Sequence, residues 1–246
     1  MIMLWVGVSA LVASVLTFFS GFGLGTILLP VFALYFPIEI AIAATAVVHL
    51  VNNLTKLVLT IRQAHWQTVV RFGVPAVAAA FLGAMVLTWL PSNSVKPLVG
   101  FLIMLFGILE VMPRFQSWQF VSAHLPWGGV LSGFFGGLSG HQGALRSAFL
   151  ISAGLSKEQF IATGVVVAVA VDVIRLTTYA WQMGGLAWLW PQHHQLGGLV
   201  LTGCVAAIAG AVLGQRLLKK ATLPLLQVWV GVLLVLLGAA LMLGWV

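Results

Sequence analysis

The stretch Ser132-Gly-Phe-Phe-Gly-Gly-Leu-Ser-Gly-His-Gln-Gly-Ala-Leu-Arg146 decides how this chain folds. It holds five glycines within eleven residues, and each glycine costs a helix about 1 kcal/mol relative to alanine. We therefore expect a helix to break here and a new helix to start at the apolar segment 144–153. The N-terminus of that helix attracts anions through its unpaired N–H groups and its dipole, and Arg146 adds a fixed positive charge. The stretch predicts a substrate site made of Ser139, Gly140, His141, Gln142, Gly143 and Arg146.

A weaker copy of this stretch lies near the start of the chain. Ser20-Gly-Phe-Gly-Leu-Gly-Thr-Ile-Leu-Leu-Pro30 has the same Ser-Gly-Phe entry and the same apolar exit. The repetition predicts an internal duplication, so the first break is expected to line the same site. Its predicted contacts are Gly23, Gly25 and Thr26.

The composition indicates a multi-pass membrane protein, which we expect in the inner cell membrane with lipid around it. Hydrophobic residues make up 61% of the chain and charged residues 6%, and the mean hydropathy is +1.13. The single cysteine, Cys204, excludes a disulfide framework and a cysteine-based zinc site. We expect no metal and no cofactor, and we interpret His193 and His194 as solvated residues of an external link.

The net charge of +7 follows from membrane topology rather than from a nucleic-acid partner, because the basic residues are dispersed over the links between apolar segments. Those segments are approximately 2–19, 24–36, 38–61, 72–90, 97–112, 127–153, 158–181, 196–217 and 225–246. Lys and Arg occur in the links 62–71 and 216–220 but not in 182–195. The positive-inside rule then predicts that the first two links are cytoplasmic and the third is external.

These orientations predict two inverted repeats in one membrane domain. The first repeat is 1–112, a cytoplasmic linker follows at 113–126, and the second repeat is 127–246. Each repeat consists of a glycine-broken helical hairpin and three transmembrane helices in an all-α fold. Inverted repeats with interrupted helices place a substrate near the middle of the membrane, so this architecture predicts a transporter. The oligomeric state is left open, with a homodimer as one option.

One face of the segment 38–61 is polar. Its polar residues fall within an arc of about 100° at helical spacing. This face predicts either substrate contacts or hydrogen bonds between helices. The residues are Thr45, His49, Asn52, Asn53, Lys56 and Thr60, of which all but His49 and Thr60 are predicted substrate contacts.

The second repeat carries an equivalent polar face, with Thr163 as a predicted substrate contact. Asp172 and Arg175, three residues apart, form a predicted local ion pair. Cations outnumber carboxylates among the charged residues expected at membrane depth, and this excess favours an anionic guest. The alternative is that Lys56 and Arg175 extend to the membrane surface. The candidates for proton coupling are Asp172, His49 and His141, because their charge can change near neutral pH.

The chain resembles the sulfite exporter TauE/SafE family over its whole length. The resemblance rests on Gly21-Phe-Gly-Leu-Gly-Thr with Pro30, on Ala44-Thr45, and above all on residues 133–149 followed by Ala162-Thr163-Gly164. It implies an inner-membrane carrier, without catalysis, for a small anionic sulfur compound such as sulfite, sulfoacetate or thiosulfate. The string Ser-Gly-His-Gln-Gly at 139–143 departs from the plainer glycine run of many members.

Other interpretations of the same residues are open. The glycines of the second break could serve only for close helix packing, and the Asp172–Arg175 pair could be structural. The string Gly137-Leu138-Ser139-Gly140 also matches the Gly-x-Ser-Gly pattern of rhomboid-like intramembrane serine proteases, in which a histidine such as His49 or His141 would activate Ser139. A membrane-anchored interaction module is a third alternative, but the chain offers almost no surface outside the membrane for it.

Overall fold

The fold is all-helical over the residues that the computed structural model describes, which are 1–20, 24–112, 121–182, 195–217 and 224–244. Short 3₁₀ turns at Ile61–Gln63 and Ser122–His124 precede α4 and α6. The helices are α1 (Ile2–Ser20), α2 (Leu24–Ala33), α3 (Ile38–Thr60), α4 (Trp66–Trp89), α5 (Ser92–Val111), α6 (Leu125–Ser139), α7 (Gly143–Ile151), α8 (Lys157–Gln182), α9 (Leu196–Leu217) and α10 (Pro224–Met242).

Four of the described helices are long and apolar enough to cross a membrane, namely α3, α4, α8 and α9. Shorter apolar stretches of helix lie at Ile2–Leu16, Leu24–Ala33 and Asn93–Leu109. Together these helices confirm the predicted multi-pass membrane class. The crossing of the membrane by α5 and α10 stays a prediction, as does the division into repeats.

Proline sets the start of several helices. Pro37 and Pro91 cap the N-termini of α3 and α5, Pro126 lies in the first turn of α6, and Pro224 begins α10. Proline is tolerated at these positions because the first N–H groups of a helix have no partner inside the helix. The sequence therefore limits each helix locally, before any packing.

Glycine determines how closely α6 packs on α4. A β-carbon on Gly129, Gly133 or Gly137 would overlap the carbonyl oxygen of Phe72, Ala76 or Ala80, respectively. Both sets recur every fourth residue, so one stripe on each helix makes the contact. The expectation that all five glycines interrupt the helix is therefore wrong, because α6 continues through Gly133, Gly136 and Gly137. Their role is the close packing that the alternative interpretation of this stretch proposed.

The break itself is short and lies between α6 and α7. Gly140 ends α6 with a left-handed backbone (φ +83°), and Gln142 precedes the first residue of α7. Residues 21–23, between α1 and α2, lie outside the described residues, and so do the predicted contact Gly23, His193, His194 and most of the predicted linker.

Helices from different parts of the chain pair in a regular pattern. α1 packs on α9, α4 on α6, α5 on α10, and α3 on α8. On α5 and α10, Gly100 and Gly238 approach each other's backbone so closely that a β-carbon on Gly100 would stand 2.8 Å from the Gly238 carbonyl oxygen. The α3–α8 pair brings together the two helices on which the sequence predicts polar faces.

Candidate functional site

A buried carboxylate lies at the contact of α3 and α8. Asp172 is completely buried, and its Oδ2 lies 2.6 Å from His49 Nδ1 and 3.0 Å from Asn53 Nδ2. Its Oδ1 lies 2.8 Å from Arg175 Nη2. A buried charge is tolerated only with such compensation, and here three side chains from two helices provide it.

Arg175 and Tyr179 connect this network to the break. Arg175 Nη1 donates to the carbonyl oxygen of Gly136 at 3.3 Å, and the Tyr179 hydroxyl donates to that of Gly137. These carbonyls belong to the last turn of α6, where the helix dipole favours a cation. A β-carbon at Gly140 would stand 2.6 Å from Arg175 Nη1, so glycine is required there both by the left-handed backbone and by the arginine.

A cavity of about 30 Å³ lies beside the network. Its lining combines mostly polar residues of α3 and α7 with mostly apolar residues of α8. Its lining residues are His49, Asn53, Lys56, Arg146, Ser147, Leu150, Phe160, Ile161, Gly164 and Val165. A cavity of this volume is large enough to hold water.

The charge of the site is positive. Within the described part of the chain, the fully buried ionised residues are Lys56, Arg146, Arg175 and Asp172, which leaves an excess of two positive charges when the histidines are neutral. Lys56 and Arg175 are only 2% and 1% exposed, so the protein encloses both and neither extends to the membrane surface. Lys56 and Arg146 are the two of these cations that line the cavity.

The two glycine breaks come together next to His49. A β-carbon on Gly25 of α2 would stand 3.7 Å from the Gly140 carbonyl oxygen, 3.8 Å from Thr45 Cγ2 and 3.9 Å from His49 Cδ2. Gly25 and Gly140, which are far apart in the chain, therefore lie on one side of His49. Thr26 is buried in the same short helix.

The other residues of the second break point in different directions. The Ser132 hydroxyl donates to the Gln142 carbonyl oxygen at 3.0 Å, and the Gln142 side-chain amide is buried without a hydrogen-bond partner in the structure. The His141 ring stacks on Phe106 of α5 at 5.9 Å between centroids, and its Nδ1 lies 3.1 Å from the Ser139 hydroxyl. That hydroxyl donates to the Phe135 carbonyl oxygen at 3.2 Å.

The structure divides the predicted site residues into groups. His49, Asn53, Lys56 and Arg146 line one cavity, and Asp172 contacts the first two. Asn52 lies at one edge of the polar face of α3, where its Oδ1 accepts from the Ser14 hydroxyl at 2.5 Å. The Thr163 hydroxyl accepts from the His65 backbone N–H at 3.0 Å, next to a helix start rather than in the cavity wall. Predicted substrate contact by these two residues stays a prediction that the geometry does not favour.

Several residues of the site are absent from the predicted set. Ser147, Phe160, Ile161, Gly164 and Tyr179 are apolar or weakly polar residues in apolar segments, so their composition draws no attention. The helical spacing relative to Asp172 and Arg175 could have identified the missed residues on α8. Ile161, Gly164, Val165, Asp172 and Arg175 recur at intervals of three, four or seven along α8, which places them near one face.

A helical bundle with membrane-spanning helices and a buried cationic cavity defines the class of membrane transport proteins. The chain belongs to the sulfite exporter TauE/SafE family, because the model of the family described as "Sulfite exporter TauE/SafE" matches residues 6–241. This match confirms the resemblance. No curated protein and no solved structure matches the chain.

The family is one of transporters, and the match gives no support to the rhomboid-like protease alternative. The contact of Ser139 with His141 satisfies the distance that a nucleophile and its base require. However, the single proton of the Ser139 hydroxyl is directed to the Phe135 carbonyl oxygen rather than to His141.

Proposed function

We propose that this protein is a secondary transporter that moves a small sulfur oxyanion, such as sulfite, out of the cell through the cavity between α3, α7 and α8. The family match supports transport of a sulfur compound across the membrane. The observation that carries the choice of cavity is that Lys56 and Arg146, two cationic side chains no more than 6% exposed, both line its wall. An oxyanion provides the negative charge that this wall attracts.

The geometry of Arg146 supports an oxyanion rather than a simple halide. Arg146 lies in the first turn of α7, and its own N–H donates to the Gln142 carbonyl oxygen at 3.0 Å. The N–H groups of the preceding residues 143–145 are at the open end of the helix, where an anion can accept from them. The planar guanidinium can also donate to two oxygens of one anion.

We propose that two inverted repeats build this site. Under that division, α1 to α5 correspond in order to α6 to α10. The observed packing has the symmetry that the division requires, because the first helix of each half packs on the fourth helix of the other half. The third helices pair with each other, and so do the fifth. A substrate between the third helices then lies on the pseudo-twofold axis, where rocking of one half against the other can expose it to each side in turn.

The test is sulfite transport by the purified protein in liposomes. Counterflow of labelled sulfite is measured at equal pH on both sides for the parent, Arg146→Gln and Arg146→Lys. We expect the glutamine variant to lose at least about tenfold in sulfite affinity, which is about 1.4 kcal/mol. The lysine variant should recover only part of this affinity, because an ammonium group lacks the paired N–H donors of the planar guanidinium.

The matched control is Arg71→Gln, which removes an exposed arginine near the start of α4. This variant should transport like the parent. Equal sulfite affinity in the parent and in Arg146→Gln would place the anion elsewhere. No sulfite counterflow by the parent would contradict the proposed substrate.

A further inference from the structure

His49 belongs both to the cavity wall and to the buried network. Its Nδ1 lies 2.6 Å from Asp172 Oδ2, although 123 positions separate the two residues. Asp172 also accepts from the Asn53 amide and lies within ion-pair distance of Arg175, which are the surroundings of an ionised carboxylate. An ionised carboxylate only accepts hydrogen bonds, so His49 Nδ1 carries the hydrogen. The second ring nitrogen, Nε2, is then the acceptor.

We propose that Nε2 of His49 is the binding site of a proton that crosses the membrane together with the anion. The inference rests on the proposed function and specifies what that site couples. Protonation at Nε2 leaves the Nδ1–H bond to Asp172 intact, and the carboxylate stabilises the imidazolium that forms. The proton can therefore enter and leave without disrupting the packing of α3 against α8.

The charges around His49 link this proton to the anion. The elements around His49 carry several other titratable or charged side chains, while α2 has none. They are Glu39 and Lys56 on α3, Arg146 on α7, Lys157, Glu158, Asp172, Arg175 and Tyr179 on α8, His141 in the break, and Cys204 and Arg216 on α9. In an empty cavity, Lys56 and Arg146 repel a third positive charge. An anion between them reverses this repulsion, so the anion and the proton bind cooperatively, and each raises the affinity of the other by the same factor.

The structure selects His49 among the three proton-coupling candidates. Asp172 is completely buried behind its three partners, so a proton on it would displace a hydrogen bond or an ion pair. The His141 ring is stacked on Phe106 and is not among the residues that line the cavity. Of the three, His49 alone contacts both the cavity and a compensating carboxylate.

The experiment compares labelled sulfite accumulation by the parent and by His49→Gln in liposomes whose membrane potential is clamped at zero. A pH gradient of one unit is imposed, and accumulation in protein-free liposomes is subtracted. Sulfite itself binds protons equally in both preparations, so a difference between them reports on His49. We expect the parent to accumulate up to about tenfold more sulfite per pH unit than His49→Gln, because one additional proton moves with each anion.

His124→Gln is the matched control, because His124 is exposed and is not among the residues that line the cavity; its accumulation should equal that of the parent. If His49→Gln does not reconstitute, His49→Lys replaces it, and its fixed charge should also abolish the additional accumulation. Equal accumulation by the parent and the His49 variant would overturn the proposal, as would loss of the additional accumulation in His141→Gln but not in His49→Gln. Sulfite counterflow at equal pH tests the proposed function separately, since it needs no gradient.

Discussion

Gly164 on α8 faces the guanidinium group of Arg146 on α7, and a β-carbon at position 164 would stand 3.4 Å from Arg146 Nε. Both residues line the same cavity. A methyl group at position 164 would therefore be in van der Waals contact with the guanidinium group and would take up part of the space that both residues line.

Gly164→Ala should therefore weaken sulfite binding by about tenfold, or about 1.4 kcal/mol, because the added methyl group takes up part of the cavity of about 30 Å³ in which the anion would contact Arg146. Binding is measured as the sulfite dependence of thermal stabilisation. The control is Gly198→Ala, whose new methyl group would meet only the flexible end of Met3, at 3.3 Å. Unchanged sulfite affinity in Gly164→Ala would show that the anion does not contact Arg146 in this cavity.

Gly133→Ala should destabilise the fold without a direct effect on the anion site. The added methyl group would overlap the Ala76 carbonyl oxygen, and a backbone atom in the middle of a helix cannot move aside as a side chain can. Overpacking of this kind costs about 1 to 3 kcal/mol. We expect a clearly lower melting temperature in detergent than for Gly7→Ala, whose methyl group meets the Thr202 side chain at 3.3 Å. Equal melting temperatures would mean that α4 and α6 are not packed this closely.

Arg175→Gln should be more destabilising than the double variant Asp172→Asn/Arg175→Gln. Removing the guanidinium alone leaves the Asp172 carboxylate fully buried without its ion-pair partner, and such a loss costs about 3 to 5 kcal/mol. The double variant also removes the negative charge of Asp172, so it should recover part of the lost stability. The measurement is a double-mutant cycle of unfolding free energies, and additive effects of the two substitutions would contradict a coupled pair.

Both chain termini should lie outside the cell. The basic links 62–71 and 216–220 are expected on the cytoplasmic side, and two inverted repeats then return both ends to the external face. Reporter tags fused after residue 246 and before residue 1 measure this directly. A cytoplasmic signal from either tag would contradict the proposed topology.

Much of the fold class follows from composition and local pattern alone. An excess of apolar residues can only be accommodated in lipid, so the membrane class needed no tertiary information. The close spacing of Asp172 and Arg175 on one helix likewise predicted their contact, which the structure shows at 2.8 Å, because residues three apart are neighbours on a helix surface. The position of the helix break at Gly140 was predicted for the same local reason, although its extent was not.

Tertiary structure decided which polar residues share a site. Asn52 and Asn53 are adjacent in the chain and equal in chemistry, yet one accepts from Ser14 and the other donates to Asp172. Only the directions from which α1 and α8 approach α3 separate them.

The role of Gly133 was equally undetermined, since a glycine that breaks a helix and a glycine that lets two helices touch look alike in a sequence. The sequence by itself determined that the chain folds in lipid, that it is helical, and which residues contact each other along one helix. These properties depend only on composition and on neighbours along the chain. The partner of His49 was decided by the packing of two helices more than a hundred positions apart, and that of Gly164 by the packing of α8 on the preceding helix, neither of which a local pattern encodes.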